Sequence, residues 1–132
     1  MINRAYVGMM GEIYAARYLV RKGWSLVSAN YKSRFGEIDL IVRKRKILVF
    51  VEVKTRSPDS MFSPREAVDY QKQTKIVKTA MLFLQKEEFR KCQPQFDVIE
   101  VILDEESYWN EKKAIIHHYP NAFQSEGFHA IF

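Results

Sequence analysis

Apolar positions fall into a small number of runs, and their spacing differs from run to run. Over Arg4 to Lys22 they recur every three to four residues, which predicts a helix closed by Gly23. Trp24 to Tyr31 alternates loosely and reads as an edge strand. Glu37 to Arg43 and Ile47 to Lys54 are β-rich runs joined by Arg43-Lys44-Arg45-Lys46, which predicts a hairpin. Ser57 to Phe62 is polar and reads as a loop. Ser63-Pro64-Arg65-Glu66 carries helix-start chemistry: Ser as N-cap, Pro in the first turn and Glu placed for a capping box. That helix is expected to run to about Arg90. Phe96 to Leu103 reads as a strand, Asp104 to Ser107 as a turn and Ala114 to Tyr119 as a last strand. The expected order is α-β-β-β-α-β-β. Without repeats, low-complexity segments or a linker, one α/β domain is expected over residues 1–123, with a tail over 124–132.

One run breaks its own pattern. LVFVEVKTR, from Leu48 to Arg56, places Glu52 and then Lys54 in a row of valines. Strand side chains alternate faces, so Glu52 and Lys54 point one way while Val51 and Val53 point the other. Burying an unpaired carboxylate costs several kcal/mol, roughly, so Glu52 needs a partner. If the hairpin reverses at Arg45-Lys46 with Lys44 paired to Ile47, Asp39 falls opposite Glu52, with Cβ atoms ~4.5–5.5 Å apart. Two facing carboxylates repel unless they share a proton, pair with a cation or bind a metal between them. A hard divalent cation such as Mg²⁺ suits two carboxylates, a nearby carbonyl and several waters. An internal salt-bridge cluster of Asp39, Glu52 and Lys54 fits those three residues equally well.

The helices add two further polar residues on apolar stripes. In the first, Ala5, Gly8, Met9, Glu12, Ala16 and Leu19 share a stripe. Gly8 and Gly11 each cost about 1 kcal/mol against Ala in a helix, which points to close packing on the sheet. Glu12 is then a third carboxylate approaching from a separate element, or else an edge residue reaching solvent. In the second helix Val68, Lys72, Ile76, Thr79 and Phe83 form a stripe that Lys72 interrupts. Lysines often snorkel out of such positions, and Gln71 is the alternative inward polar group.

Composition changes the picture little. The chain has 132 residues, 47% apolar and 14% aromatic, enough for a core. No apolar run reaches the ~18–20 residues of a membrane span. Glu12 and Arg17 interrupt the N-terminal apolar pattern, so it does not read as a signal peptide. Cys92 is the one cysteine, which excludes an internal disulfide and a multi-cysteine metal site. A cytoplasmic location is expected. The net charge of +5 favours an anionic partner.

Read together, GEIDLIV and VFVEVKTR, preceded by GEIYAARYLVRKGW and followed by SPREAV, QFDVIEV and NAF, closely resemble the YraN-like family of bacterial proteins. The likeness runs from about Gly8 to Phe123. That family in turn resembles archaeal Holliday-junction resolvases and the restriction-endonuclease-like nucleases. The resemblance implies a central mixed sheet with helices on either side. It carries the PD-(D/E)XK signature onto Asp39, Glu52 and Lys54, and the resolvases' first-helix glutamate onto Glu12. It implies Mg²⁺ (or Mn²⁺) held by Asp39, Glu52 and the Val53 carbonyl, with Glu12 acting through water or on a second ion. Lys54 would orient the attacking water or stabilise charge on phosphorus. The chain departs from the pattern in three places. Ile38 stands where a proline precedes the aspartate, Gln95 replaces an arginine often seen before FDV, and Ser63 replaces a glycine.

Three functions follow. The first is a metal-dependent nuclease on DNA, branched or damaged structures included. The second is a nucleic-acid-binding module with little activity of its own, and the third a structural protein with an internal ion-pair cluster. The expected partner is nucleic acid, DNA first, with no membrane; a homodimer stays open. Candidate phosphate contacts are Lys72, Arg56, Arg43, Lys44, Arg45 and Lys46, with Arg65 and Lys75 behind them. His117 and His118 are adjacent in a strand and point to opposite faces, so they read as structural. Cys92 lacks a placed base and is a weak nucleophile candidate.

Overall fold

The computed structural model describes residues 3–59 and 68–124. The element order is α1 (Arg4–Arg21), β1 (Ser25–Ser33), β2 (Gly36–Lys44), β3 (Ile47–Arg56), α2 (Tyr70–Leu84), β4 (Gln93–Ile102) and β5 (Ile115–Phe123), with short 3-10 turns at Glu87–Phe89 and Glu111–Lys113. This is the α-β-β-β-α-β-β order that the sequence pattern predicts.

The strands form one mixed sheet in the order β1-β2-β3-β4-β5. Its first two pairings and its last are antiparallel, and β3–β4 is parallel. β1 is an edge strand, as its loose alternation suggests. The β2–β3 hairpin closes on the pair Lys44↔Ile47. Arg45 adopts φ 56 in the two-residue turn, the left-handed conformation that tight hairpin turns require.

The two helices cover opposite faces. α1 starts at Asn3, whose side chain accepts from Tyr6 N at 2.9 Å, and ends where Gly23 takes φ 95. Beneath it lies one core, with Tyr14, Ala15, Leu19, Leu40, Val49, Val51 and Ile99 buried. Beneath α2 lies the other, with Ile38, Ile41, Phe50, Ile76, Phe83, Phe96 and Val98 buried. Alternation along β3 and β4 supplies both, since successive residues point to opposite faces. No helix among the described residues is long and apolar enough to cross a membrane.

Two expectations need correction. The second helix spans Tyr70–Leu84, neither starting at Ser63 nor reaching Arg90. Residues 63–66 lie outside the described residues, and Asp69 is extended, capping α2 by accepting from Lys72 N at 2.9 Å. At the far end the chain leaves the helix after Leu84, and the Glu87–Phe89 turn returns Phe89 to stack on Phe83 at 4.9 Å. Phe89 thus continues the apolar spacing from a different element. In α1 the buried stripe is Gly11, Tyr14, Ala15 and Leu19, not Ala5, Gly8, Met9 and Ala16. Ala5 and Met9 are exposed and Glu12 flanks the stripe, half-buried. Gly11 is the glycine that needs its missing Cβ: an added Cβ would meet Thr55 Oγ1 at 1.9 Å, whereas one at Gly8 would meet nothing within 4 Å.

Candidate functional site

The hairpin register puts Asp39 one step beyond the last regular pair, Leu40↔Val51. There the strands part. In a continued ladder Val53 N–H would reach the carbonyl of Ile38; instead it donates to Asp39 Oδ2 at 2.8 Å. The facing Cβ-to-Cβ arrangement of Asp39 and Glu52 expected from the register therefore does not form. Strand β2 turns over at Asp39: Ile38 packs beneath α2 and Leu40 beneath α1. Opposite Asp39 on β1, between the pairs Ala29↔Leu40 and Tyr31↔Ile38, Asn30 takes φ 55. Asp39 is thus directed along the sheet plane at the β3 backbone. The N–H and C=O of one strand residue point to the same side, so the Val53 carbonyl also faces the gap.

Glu52 comes to this gap from the α2 face. It is 6% exposed. Its partner is chiefly Lys72, whose Nζ lies 2.7 Å from Glu52 Oε1; Lys54 Nζ is 3.6 Å from the same oxygen. Lys72 therefore turns inward instead of snorkelling, and Gln71 is exposed. The two lysines respond oppositely. Burial, together with the neighbouring Lys72 ammonium, lowers the Lys54 pKa. Burial also pulls Lys72 down, but contact with Glu52 outweighs it and the net shift is upward. Lys72 is the fixed counter-charge, and Lys54 is the amine more easily stripped of its proton.

Glu12 reaches the same end of the sheet from α1. Burial and the charges of Glu37 and Glu52 raise its pKa, against an opposing contact from Asn30. Asp39 is pushed up to about 7, by burial first and then by Glu52, with the Val53 N–H pulling the other way. The structure thus brings Glu12, Asp39, Glu52, Lys54 and Lys72 together. A cleft of about 640 Å³ opens beside them between Gly8, Glu12, Val53, Lys54 and Tyr108. A second, of about 370 Å³, opens on the Lys72 side along Glu37, Gln71 and Lys75.

The raised carboxyl makes a stability prediction. A carboxyl whose folded pKa exceeds its unfolded value costs nothing at low pH. It destabilises the fold progressively as pH climbs from the unfolded value through the folded one. With chelator present, Asp39→Asn should therefore be more stable than wild type near pH 8, by roughly 1–4 kcal/mol at ~1.4 kcal/mol per pK unit. The gain should vanish near pH 4. Urea denaturation at both pH values checks it; a difference independent of pH contradicts it.

Other expected contacts fall elsewhere. Arg43, Lys44, Arg45 and Lys46 sit at the hairpin end, five residues along β2 from Asp39, or ~17 Å at ~3.3 Å per residue. Arg43 donates to Arg45 O at 2.8 Å, and Lys44 donates to Lys22 O at 3.1 Å and lies over the Trp24 ring. The basic hairpin and the acidic residues thus stand at opposite ends of β2. Arg56 lies at the acidic end, lining the cleft with Lys54, and pairs with buried Glu100. His117 Nδ1 meets the other oxygen of Glu100 at 2.7 Å, and His118 Nε2 meets Asp97 at 2.7 Å on the opposite face. The opposed histidines behave as the alternation rule expects. The Arg56–Glu100–His117 cluster was legible by the argument used for Glu52: Glu100 interrupts QFDVIEVI as Glu52 interrupts ILVFVEV. Arg65 lies outside the described residues, and Lys75 lines the smaller cleft.

A hard divalent ion takes one or two carboxylates, a carbonyl and several waters. Asp39, Glu52 and the Val53 carbonyl fit that set, with Glu12 on the other side of the gap. The existing bonds use Asp39 Oδ2 and Glu52 Oε1, which leaves Oδ1 and Oε2 as the second oxygens. Among the described residues, no group of three or more His, Cys, Asp or Glu side chains is drawn together around one point. Any ion held here would lean on the carbonyl and on water.

Comparison with known proteins gives one consistent answer. The model of "Uncharacterised protein family UPF0102" matches residues 11–101. A UPF0102 protein of Caldanaerobacter subterraneus is 45% identical over 122 residues, spanning 92% of this chain and 98% of that protein. Another, from Syntrophotalea carbinolica, is 37% identical over 125 residues, 95% of this chain and 97% of that protein. A third, from Alkaliphilus oremlandii, is 41% identical over 119 residues, 89% of this chain and 97% of that protein. The matched span includes Glu12, Asp39, Glu52, Lys54 and Lys72, and the chain belongs to the UPF0102 family, the YraN-like proteins that its motifs resemble.

Proposed function

We propose that this chain is a metal-dependent nuclease that hydrolyses phosphodiester bonds in DNA, with its site where β2 and β3 part. The observation that carries the reading is the convergence of Asp39, Glu52 and Lys54 at that gap, with Glu12 entering from α1 and Lys72 from α2. Glu12 and Asp39, whose pKa values burial and the nearby Glu52 charge raise, are arranged for a cation, and lysines bordering them are arranged for an anion. A phosphodiester beside a bound cation satisfies both.

In this reading Asp39, Glu52 and the Val53 carbonyl would hold Mg²⁺ or Mn²⁺, and Glu12 would act through water. The ion, when bound, supplies Lewis-acid polarisation of the phosphodiester and a water of lowered pKa. Lys54, half-buried on the cleft side of Glu52, would orient the attacking water or meet charge developing on the phosphoryl oxygens. Lys72 has a different part. It neutralises Glu52 while the ion is absent, and would be free to meet a phosphate once an ion took over that carboxylate. Arg56, which lines the same cleft as Lys54, is a further basic residue for a flanking phosphate.

The ion pair between Lys72 and Glu52 also favours a second reading, in which the charges balance internally and the chain binds nucleic acid without cutting it. A cleavage screen over linear, flapped and four-way DNA, with Mg²⁺, Mn²⁺ or EDTA, separates the two. The nuclease reading expects ion-dependent products from at least one substrate. Products from none, on DNA that the chain demonstrably binds, support the second reading.

A further inference from the structure

Trp109 is 76% exposed, the most exposed large apolar side chain among the described residues. It stands in the β4–β5 connection and lines a cleft of about 640 Å³ with Arg17, Arg21, Asn110 and Lys112. The arginines are held in place. Arg17 Nη1 donates to Glu111 Oε1 at 2.7 Å, Arg21 Nη2 donates to Glu111 Oε2, and both arginine side chains stay about three-fifths exposed. One carboxylate thus fixes two guanidinium groups beside an exposed indole. Counting Lys112, three cations surround one anion, so the cleft keeps a positive balance.

Its position connects it to the candidate site. Tyr14 OH donates to Ser107 O at 2.9 Å and pins this connection against α1. Gly8 and Glu12 line the cleft beside Lys54, and Arg17 and Arg21 line the Trp109 cleft on the next turns of α1. Tyr108 and Trp109, adjacent in sequence, line one each. From Glu12 to Arg17 is five residues, ~7.5 Å along the helix axis with a rotation of ~140° about it.

From this arrangement we infer a second binding site, for an unpaired stretch of DNA: a base stacks on Trp109 while Arg17, Arg21 and Lys112 take the flanking phosphates. Stacking on an aromatic side chain combined with a cationic groove is how single strands are held without sequence preference. A base within a duplex has no free face to offer Trp109, so the site favours substrates with an unpaired strand beside the cleavage point. The link to cleavage rests on the nuclease reading; the binding itself does not.

The test is made in EDTA, so that no strand is cut. In a Trp24→Phe background Trp109 is the one remaining tryptophan. A short single-stranded oligothymidylate should quench its emission saturably. With a labelled oligonucleotide, Trp109→Ala should weaken binding by about tenfold or more. Arg17→Gln with Arg21→Gln should flatten the log–log salt dependence by roughly one unit. Absence of quenching, or equal affinity of Trp109→Ala and wild type, overturns the site. So does emission that changes with protein concentration alone alongside a doubled mass, which would assign the surface to a second copy of the chain. Quenching without cleavage of any DNA leaves this site standing and removes the nuclease reading; cleavage without quenching does the reverse.

Discussion

On a DNA that the wild-type chain cuts, Lys54→Ala should lower single-turnover cleavage by about 10²–10³-fold and leave divalent-ion binding intact. An ammonium is not a metal ligand, so its loss removes no donor from Asp39, Glu52 or Val53. It removes a charge that acts on the water or on the transition state, and such a charge changes the rate more than ground-state affinity. The proposed reading gives this part to Lys54 over Lys72. Lys72 is closed on Glu52 at 2.7 Å, whereas Lys54 stands off at 3.6 Å and lines the larger cleft. Burial and the neighbouring Lys72 ammonium lower the Lys54 pKa, whereas contact with Glu52 raises that of Lys72. Rapid-quench assays with saturating enzyme read the step directly. Equal rates for the mutant and wild type would reduce Lys54 to an ion-pair partner of Glu52.

Gly11→Ala should destabilise the fold by about 1–3 kcal/mol, the usual penalty for forcing extra atoms into a packed site. Helix propensity alone argues for the opposite sign, since Ala is better than Gly by about 1 kcal/mol in a helix interior. Packing wins at Gly11 because the new Cβ would lie 1.9 Å from Thr55 Oγ1 and 3.0 Å from Thr55 Cβ. Thr55 follows Lys54 on β3, so α1 would have to back away from the strand that carries the site, taking Glu12 with it. Gly8→Ala has free space and should be neutral or slightly stabilising. Denaturant unfolding of the two variants reads this contrast. Thr55→Ala, which removes Oγ1, should recover part of the Gly11→Ala loss. Equal stability of Gly8→Ala and Gly11→Ala would contradict the packing account.

Sheet, helices and their order were legible because they rest on local signals. β-rich apolar runs set β2 and β3, and the Arg45-Lys46 turn fixed their register through Lys44↔Ile47. That register brought Asp39 to the end of the hairpin where Glu52 lies, but it carried the ladder one pair too far, so the two do not face each other as a regular pair. A repeat of 2 contains nothing about Asn30 taking φ 55 on the neighbouring strand, or about β2 turning over between Leu40 and Ile38. The phase of α1 failed for a similar reason. Glycines do not say which face they occupy until the strand opposite is known, and Thr55 selects Gly11. Lys72 reads as snorkelling by base rate, and only the placement of Glu52 beneath α2 turns it inward. The basic hairpin shows the converse limit: a run of like charges has no position until the topology sets it at the far end of the sheet.

Titration calorimetry of Mn²⁺ and Mg²⁺ into the wild type and Glu52→Ala is the most direct measurement of the central claim that the gap between β2 and β3 is a cation site. The account expects saturable binding to the wild type, a rise in its melting temperature by linkage, and loss of both in Glu52→Ala. Identical ion responses from the two proteins, or none from either, would contradict it.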